Sequence, residues 1–135
     1  MEYKLFQDKR LITNNFHYSS DKYLMTDMVG SFHQNKLVGF IAYNKIQDSI
    51  FILFAEVLEA YRGLGLCKQM VKYLNEEGII TESSKIRVFA ETYEGYRLFT
   101  RLVELGLLPD DTDIGGLFNA SICGEGSIQS NTYRP

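Results

Sequence analysis

The passage from strand to helix between residues 50 and 77 constrains the fold most. An apolar run, Ile50–Ala55, leads through Glu-Val-Leu-Glu to the turn Arg62-Gly63-Leu64-Gly65. After the turn, apolar side chains recur at the i, i+4, i+7 and i+8 spacing, at Leu66, Met70, Tyr73 and Leu74. That spacing predicts an amphipathic helix from Gly65 to Glu77, which Gly78 ends. Because the apolar run does not alternate with polar residues, it predicts a strand that is covered on both faces.

The segment before this unit predicts antiparallel strands. Apolar stretches at residues 24–33, 37–44 and 50–58 predict three strands, joined by the turns His-Gln-Asn-Lys and Lys-Ile-Gln-Asp. Both turns contain residues that tight reversals accept. A short strand at residues 2–6 and a weak helical segment at residues 8–14 come first.

The segment after the first helix repeats the alternation of strand and helix. Residues 85–92 predict a strand, and a second helix begins at Tyr93 and is ended by Gly106 and Pro109. Its predicted inward side chains are Leu98, Phe99, Leu102, Val103 and Leu105. Residues 117–124 and 126–134 predict two last strands. The fold class is therefore α/β (α+β), with a mixed, mostly antiparallel central sheet of six to seven strands flanked by helices.

Composition narrows the function classes. With 135 residues, 45% of them hydrophobic and 23% charged, the chain is expected to form a single domain, residues 1–135. We find neither an apolar run long enough for a membrane span nor a signal peptide, and we expect a cytoplasmic protein without a membrane partner. The net charge of −3 and the lack of a basic face argue against nucleic acid and suit a cationic partner such as an amine.

Cysteine and histidine do not show metal-ligand spacing. Cys67 and Cys123 are expected to be reduced thiols, since no secretion signal is visible. His17 and His33 have no Cys or His at i+3 or i+4, so we expect no metal and interpret both as loop or hairpin histidines.

The glycine turn predicts an anion site. A helix N-terminus has unpaired N–H groups and the positive end of the helix dipole, and Gly63 and Gly65 have no Cβ atoms to keep a ligand away. Arg62 and Lys68 add positive charge, so a phosphate or pyrophosphate is the expected ligand. The alternative is a tight turn without a ligand. A Walker loop fits poorly, because it needs Gly-Lys-Ser/Thr and Lys68 follows Cys67. A dinucleotide-binding fingerprint also fits poorly, because Lys68 stands where its third glycine would be.

The segment Val-Leu-Glu-Ala-Tyr-Arg-Gly-Leu-Gly-Leu-Cys-Lys-Gln-Met resembles the coenzyme-A-binding segment of the GNAT N-acetyltransferase superfamily. The family signature Gln/Arg-x-x-Gly-x-Gly/Ala is matched at Arg62 and Gly65, and Cys67 replaces its last small residue. Lys-Leu-Val-Gly-Phe-Ile-Ala-Tyr resembles the family's third strand, and Arg-Leu-Phe-Thr-Arg-Leu-Val-Glu-Leu-Gly resembles its last helix. The resemblance covers residues 36–109. It implies an acyltransferase that passes an acetyl group from acetyl-coenzyme A to a primary amine on a small molecule or a protein.

The resemblance also implies the residues that bind the coenzyme. The pantetheine arm would pair with the backbone of the fourth strand, and the amides of the turn would bind the pyrophosphate. The residues so implied are Ala55, Val57, Arg62, Gly63, Leu64, Gly65, Leu66, Cys67 and Lys68.

The catalytic residues are less well determined. Glu56, near the end of the apolar strand, is the first candidate for a base that acts through water, and the alternative is a solvated strand-end charge. Glu91 on the neighbouring strand is the second candidate. The resemblance aligns Leu102 with the family's Tyr, which protonates the thiolate, so Tyr96 is a candidate substitute unless it is a core or rim aromatic.

Further hypotheses concern Cys67, the acidic segment near the end of the second helix and the protein as a whole. Cys67, beside two cationic residues, is a candidate for a thiol of lowered pKa, redox-sensitive or able to relay an acyl group. Pro-Asp-Asp-Thr-Asp, residues 109–113, is interpreted as a solvated loop that could attract a cationic acceptor. A module of the same fold without catalysis, an enzyme for another acyl group and a homodimer all remain open.

Overall fold

The computed structural model describes residues 1–13, 15–17 and 26–115. Within them, a mixed sheet has the strand order β1-β2-β3-β4-β5-β6. Strands β1 to β4 are antiparallel, whereas β4, β5 and β6 are parallel neighbours. The elements are β1 Glu2–Phe6, β2 Asp27–His33, β3 Lys36–Ile46, β4 Ser49–Val57, α1 Leu66–Glu76, β5 Lys85–Phe89, α2 Tyr93–Glu104 and β6 Asp113–Gly115.

The two hairpin turns lie where the sequence predicts them. Gln34 and Asn35 join β2 to β3 with φ of 53° and 67°, the pair of positive values that a type I′ turn requires. Gln47, with φ of 56°, lies between β3 and β4. The mixed sheet with two helices confirms the predicted fold class.

A β-bulge at Leu53 explains why β4 does not alternate. Ala42 pairs with Phe54 and Tyr43 pairs with Ile52, which leaves Leu53 without a partner on β3. Since a strand has a period of two, the extra residue moves Phe54 to the opposite face from Ile52. Ile52 lies in the hydrophobic cluster that includes both helices, and Phe54 packs against the cluster on the other face. Both faces of β4 are therefore covered, and at the bulge its side chains switch from one face of the sheet to the other.

Two clusters form the core, one on each face of the sheet. The larger contains Val29, Ile41 and Ile52 of the sheet together with residues of α1 and α2. The smaller contains Met28, Phe32, Leu37, Phe40 and Ala42, with Phe16 over them. The ring centroids of Phe16 and Phe40 lie 5.2 Å apart with their planes at 77°, an edge-to-face pair that attaches the segment before β2 to the sheet.

The second helix is buried less widely than the sequence predicts. Phe99 and Leu102 are buried and Val103 is half-buried against the core, but Leu98 and Leu105 are 37% and 45% exposed. The inward assignment of these last two residues was wrong, because the helix rests on the sheet along a narrower stripe than the five predicted positions.

Other boundaries also differ from the prediction. The helical segment at residues 8–14 is one 3-10 turn, Lys9–Leu11, and β5 ends at Phe89 instead of residue 92. The interpretation of residues 109–113 as a loop was wrong at its end, because Asp113 begins β6. The strands predicted at residues 117–124 and 126–134 lie outside the described residues.

Cys67 belongs to the core and not to the protein surface. Its side chain is 8% exposed within the larger cluster, and burial raises the pKa of the thiol from 9.0 to about 12. The hypothesis of a thiol with lowered pKa was wrong: desolvation disfavours the thiolate, and neither Arg62 nor Lys68 lies in the core to offset it. A redox or acyl-relay role for Cys67 falls with it.

Truncation of Leu102 tests the position of α2. Leu102→Ala should lower the free energy of unfolding by about 2–5 kcal/mol, because it leaves a cavity in the core. Leu105→Ala, at the exposed residue that caps the end of this helix, should change it by about 0.5 kcal/mol or less. Urea unfolding by circular dichroism measures both, and equal losses would contradict the orientation of the helix.

Burial of Cys67 predicts a loss of stability at alkaline pH. The contribution of the buried, protonated thiol to the free energy of unfolding is fully present below pH 9.0, where the thiol of the unfolded chain is also protonated. It is lost as the pH rises towards about 12. In that range the unfolded chain releases a proton that the folded chain retains. Urea unfolding from pH 8 upward should therefore show a steeper decline for the wild type than for Cys67→Ala. Parallel declines would place the thiol in contact with water.

Candidate functional site

The sheet opens between β4 and β5. The two strands pair only from Ser49 and Lys85 to Ile52 and Val88, although β4 continues to Val57. The separation begins at the bulge residue Leu53, where the change of twist directs the end of β4 away from β5. A cleft of about 640 Å³ lies at this opening. Its walls are the end of β4, the glycine turn, the first turn of α1 and the beginning of α2.

The free edge of β4 presents backbone groups to this cleft. The N–H of Leu58 donates to the carbonyl of Val38, so Leu58 faces β3. Successive residues of a strand direct their backbone groups to opposite edges, so Val57 and Ala55 face the open side. The carbonyl of Val57 accepts a hydrogen bond from Nε of Arg62 at 2.9 Å, which ties the turn to the strand. An extended ligand can pair with this edge as an additional strand.

The glycine turn presents a row of N–H groups. Gly63 and Gly65 have φ of 81° and 76°, a region that glycine adopts at little cost, and no atom lies within 4 Å of a Cβ built at either position. Gly65 caps α1, and the N–H of Gln69 is the first to bond back, to the Gly65 carbonyl at 3.0 Å. The N–H groups of residues 63–68 have no acceptor among the described residues. Together with the helix dipole, they provide donors and a positive potential that suit an anion.

Side chains around the turn complete the cleft. Arg62 and Lys68 are exposed beside the N–H groups, Leu66 and Cys67 line the wall with buried side chains, and Leu64 is 63% exposed outside the lining. Leu64, Leu66 and Cys67 thus contribute backbone N–H groups to the row at the start of α1, and the thiol of Cys67 faces the core.

The wall formed by α2 was missed in the sequence. Thr92, Glu94, Gly95 and Leu98 line the cleft opposite the glycine turn. The Thr92 hydroxyl caps α2 by accepting from the N–H of Gly95 at 3.0 Å. A signal was available, since Thr92 follows a strand parallel to β4 and the carboxyl ends of parallel strands share one edge of a sheet. Tyr61 and Met70 also line the cleft without having been predicted.

Glu56 lines the cleft with a carboxylate that is almost enclosed. Its side chain is 8% exposed, so the alternative of a solvated strand-end charge was wrong. The backbone N–H of His17 donates to Oε1 at 2.9 Å and to Oε2 at 3.1 Å. Nδ1 of His17 lies 2.9 Å from Oε2, while the imidazole itself is 86% exposed. His17 lies in a loop, as the sequence indicated, and its contact with Glu56 was not predicted.

The other predicted catalytic residues are not among the described residues that line the cleft. Glu91 is exposed and Tyr96 is half-buried. Leu102, at the position of the family's Tyr, is 1% exposed in the core. His33 lies elsewhere, with Nδ1 at 3.0 Å from the hydroxyl of Tyr61.

The cleft combines three chemical functions. It has an anion site at the start of α1, a strand edge for an amide-containing arm and an enclosed carboxylate beside that edge. Among the described residues, no group of three or more His, Cys, Asp or Glu side chains is arranged to hold a metal ion. Neither of the described helices is long and apolar enough to cross a membrane. The arrangement suits an elongated phosphate-bearing ligand whose far end reaches the carboxylate.

Comparison with solved structures finds the same fold. A ribosomal-protein-alanine N-acetyltransferase from Brucella melitensis biovar Abortus 2308 has a TM-score of 0.59 and 14% identity, over 75% of this chain and 89% of that one. Arabidopsis thaliana Naa50, in complex with a bisubstrate analogue, has a TM-score of 0.53 and 18% identity, over 76% and 82%. The PaiA N-acetyltransferase of Thermoplasma acidophilum, in complex with coenzyme A, has a TM-score of 0.51 and 14% identity, over 75% and 88%.

Comparison of the sequence itself is decisive for the family. No curated protein sequence matches the chain. The family model of the acetyltransferase (GNAT) family matches residues 2–101, which include all the described residues that line the cleft. The chain belongs to the GNAT acetyltransferase family.

Proposed function

We propose that the protein transfers an acetyl group from acetyl-coenzyme A to a primary amine. The observation that carries the proposal is the row of N–H groups at residues 63–68, which has no acceptor among the residues described and opens into the cleft between the separating strands. A pyrophosphate matches this row in charge and in hydrogen-bonding capacity. Naa50 and PaiA, which share the fold, were solved with a coenzyme A analogue and with coenzyme A, and this supports the choice of donor.

The coenzyme lies along the cleft in this proposal. The amides of Gly63 to Lys68 bind the pyrophosphate, with Arg62 and Lys68 neutralising its charge. The N–H and C=O groups of Ala55 and the N–H of Val57 pair with the amides of the pantetheine arm. The thioester end then lies where β4 has separated from β5, next to Glu56. Acetyl-coenzyme A supplies a thioester carbonyl that an amine attacks directly.

The chain contributes position and proton transfer. Binding both reactants in one cleft makes the attack effectively unimolecular, which is a large part of the acceleration. An amine is protonated near neutral pH and must lose a proton before it attacks, and the Glu56 carboxylate is the anionic group that supports this loss. Since Leu102 is buried, the departing thiolate takes its proton from water.

The acceptor belongs to the class of primary amines, on a small molecule or a protein. The alternative is a catalytically inactive module that retains the fold. The two differ in a measurable way: an inactive module does not release coenzyme A from acetyl-coenzyme A when amines are supplied, and the enzyme does.

The first prediction concerns binding. Acetyl-coenzyme A at about 100 times its Kd should raise the free energy of unfolding by about 2.7 kcal/mol, seen as an increase in Tm. Gly65→Asp should remove the increase, because it places bulk and negative charge at the anion site. Thermal unfolding with and without acetyl-coenzyme A measures both.

Gly78→Asp is the matched control. Gly78 has φ of 75°, against 76° for Gly65, and an added Cβ would be equally free of contacts, but it follows the opposite end of α1. The two variants thus share the backbone strain, and only Gly65→Asp should lose the effect of the ligand. An unchanged Tm for a folded wild type with acetyl-coenzyme A would contradict the proposal.

The second prediction concerns turnover. Glu56→Gln should lower kcat/KM by roughly 10²- to 10⁴-fold, since the amide cannot support removal of a proton from the amine. The increase in Tm with acetyl-coenzyme A should be retained, because the anion site is untouched. Release of coenzyme A thiol over a panel of primary amines measures turnover. Glu91→Gln tests the second candidate in parallel, and a larger loss there would overturn the assignment.

A further inference from the structure

The contact between His17 and Glu56 is more specific than a structural anchor requires. Two hydrogen bonds from the backbone N–H of His17 already hold the carboxylate. The imidazole adds a third contact, Nδ1 to Oε2 at 2.9 Å, although 86% of the side chain surface remains in contact with water. An exposed ring has no packing reason to adopt that position. Its contact with an enclosed carboxylate beside the cleft points to proton chemistry.

The partner of Nδ1 determines the tautomer of the ring. When the Glu56 carboxylate is ionised it can only accept hydrogen bonds, so Nδ1 then carries the hydrogen and donates it to Glu56. In the neutral imidazole, Nε2 is then the unprotonated nitrogen. No hydrogen bond to Nε2 from the described residues is present. A carboxylate that holds a histidine in one tautomer and stabilises its protonated form is the arrangement by which hydrolytic triads generate a base.

The charged surroundings agree with this role. Among the described residues, Glu56 of β4 is the charged side chain in contact with His17. The other charged side chains that line the cleft are Arg62 and Lys68 beside the glycine turn and Glu94 at the start of α2. Glu56 is therefore the charged side chain that holds Nδ1 of His17.

We propose that His17 is the group that accepts the proton of the acceptor amine. This inference rests on the proposed acetyl transfer and refines the role of Glu56, which orients the imidazole and stabilises its charged form. In the step, an N–H bond of the ammonium breaks and an Nε2–H bond forms, directly or through one water molecule, while the hydrogen on Nδ1 stays there and is donated to Oε2 of Glu56. The imidazolium then releases the proton to the solvent, to which it is exposed.

The tautomer can be measured without any substrate. The chain contains two histidines, so ¹⁵N-histidine labelling gives two imidazole spectra, and His33→Asn assigns them. The folded protein above the titration range should show His17 with hydrogen on Nδ1 and a free Nε2. Hydrogen on Nε2 would overturn the proposal whatever the activity of the enzyme.

Substitution separates proton transfer from positioning. The amide of Asn places a donor near the position of Nδ1 but cannot accept the proton, and both Asn and Ala keep the backbone N–H that donates to Glu56. His17→Asn should therefore lower kcat/KM by roughly 100-fold or more, remove the fall in rate that accompanies protonation of the base at acidic pH, and leave the increase in Tm with acetyl-coenzyme A unchanged. In His17→Ala, added imidazole should restore part of the rate.

The outcomes are distinct. If His17→Asn keeps the rate and the pH profile of the wild type, the side chain only positions Glu56 and the proposal is wrong. Turnover by His17→Ala that does not respond to imidazole, with Glu56→Gln inactive, would assign the proton to Glu56. A wild type that binds acetyl-coenzyme A but releases no thiol with any amine contradicts the proposed function instead, and the tautomer measurement still decides the His17–Glu56 arrangement.

Discussion

The bulge at Leu53 is the constraint on which the site depends. It inserts one residue into β4 opposite β3, so the strand exchanges its faces and its end separates from β5. Within the part of the chain that the structure describes, the separation leaves Ala55 and Val57 without a strand partner on the open side, which a central strand of a regular sheet would not allow. The exchange of faces also directs Glu56 to the side of the sheet where Phe16 and His17 lie, away from the helices. One unpaired residue thus creates both the binding edge and the position of the carboxylate.

The anion site depends on the core in turn. Met70, Val71 and Leu74 are fully buried, and they hold α1 against the sheet so that its first turn lies at the opening. Arg62 ties the turn back to the carbonyl of Val57, so the N–H groups and the strand edge are held in one geometry. A ligand therefore meets donors that are already arranged, and little ordering opposes its binding. Burial of Cys67 belongs to the same packing, which is why its thiol faces the core while its N–H faces the cleft.

Much of this architecture could be predicted from local pattern. The hairpin turns, the helix after the glycine turn and the alternation of strand and helix all follow from residue spacing over a few positions, because hydrogen bonds and φ preferences act locally. The exposure of Leu98 and Leu105 could not be predicted in this way. Amphipathic spacing specifies the direction of the apolar stripe on a helix but not its width. The wall that includes Thr92 and Glu94 was missed because it comes from a segment remote in sequence from the glycine turn.

The sequence by itself determined the row of N–H groups that suits an anion, since two glycines and a helix start are adjacent along the chain and backbone geometry alone exposes these groups. It also identified Glu56 as the carboxylate of interest. Only the tertiary structure decided what Glu56 contacts, because His17 is separated from it by 39 positions and the two meet only when the segment before β2 packs over the sheet. Tertiary structure likewise decided that Cys67 is buried, since burial depends on which face of α1 the sheet covers. Contacts that are local in sequence can be derived from it, and contacts that close long loops require the fold.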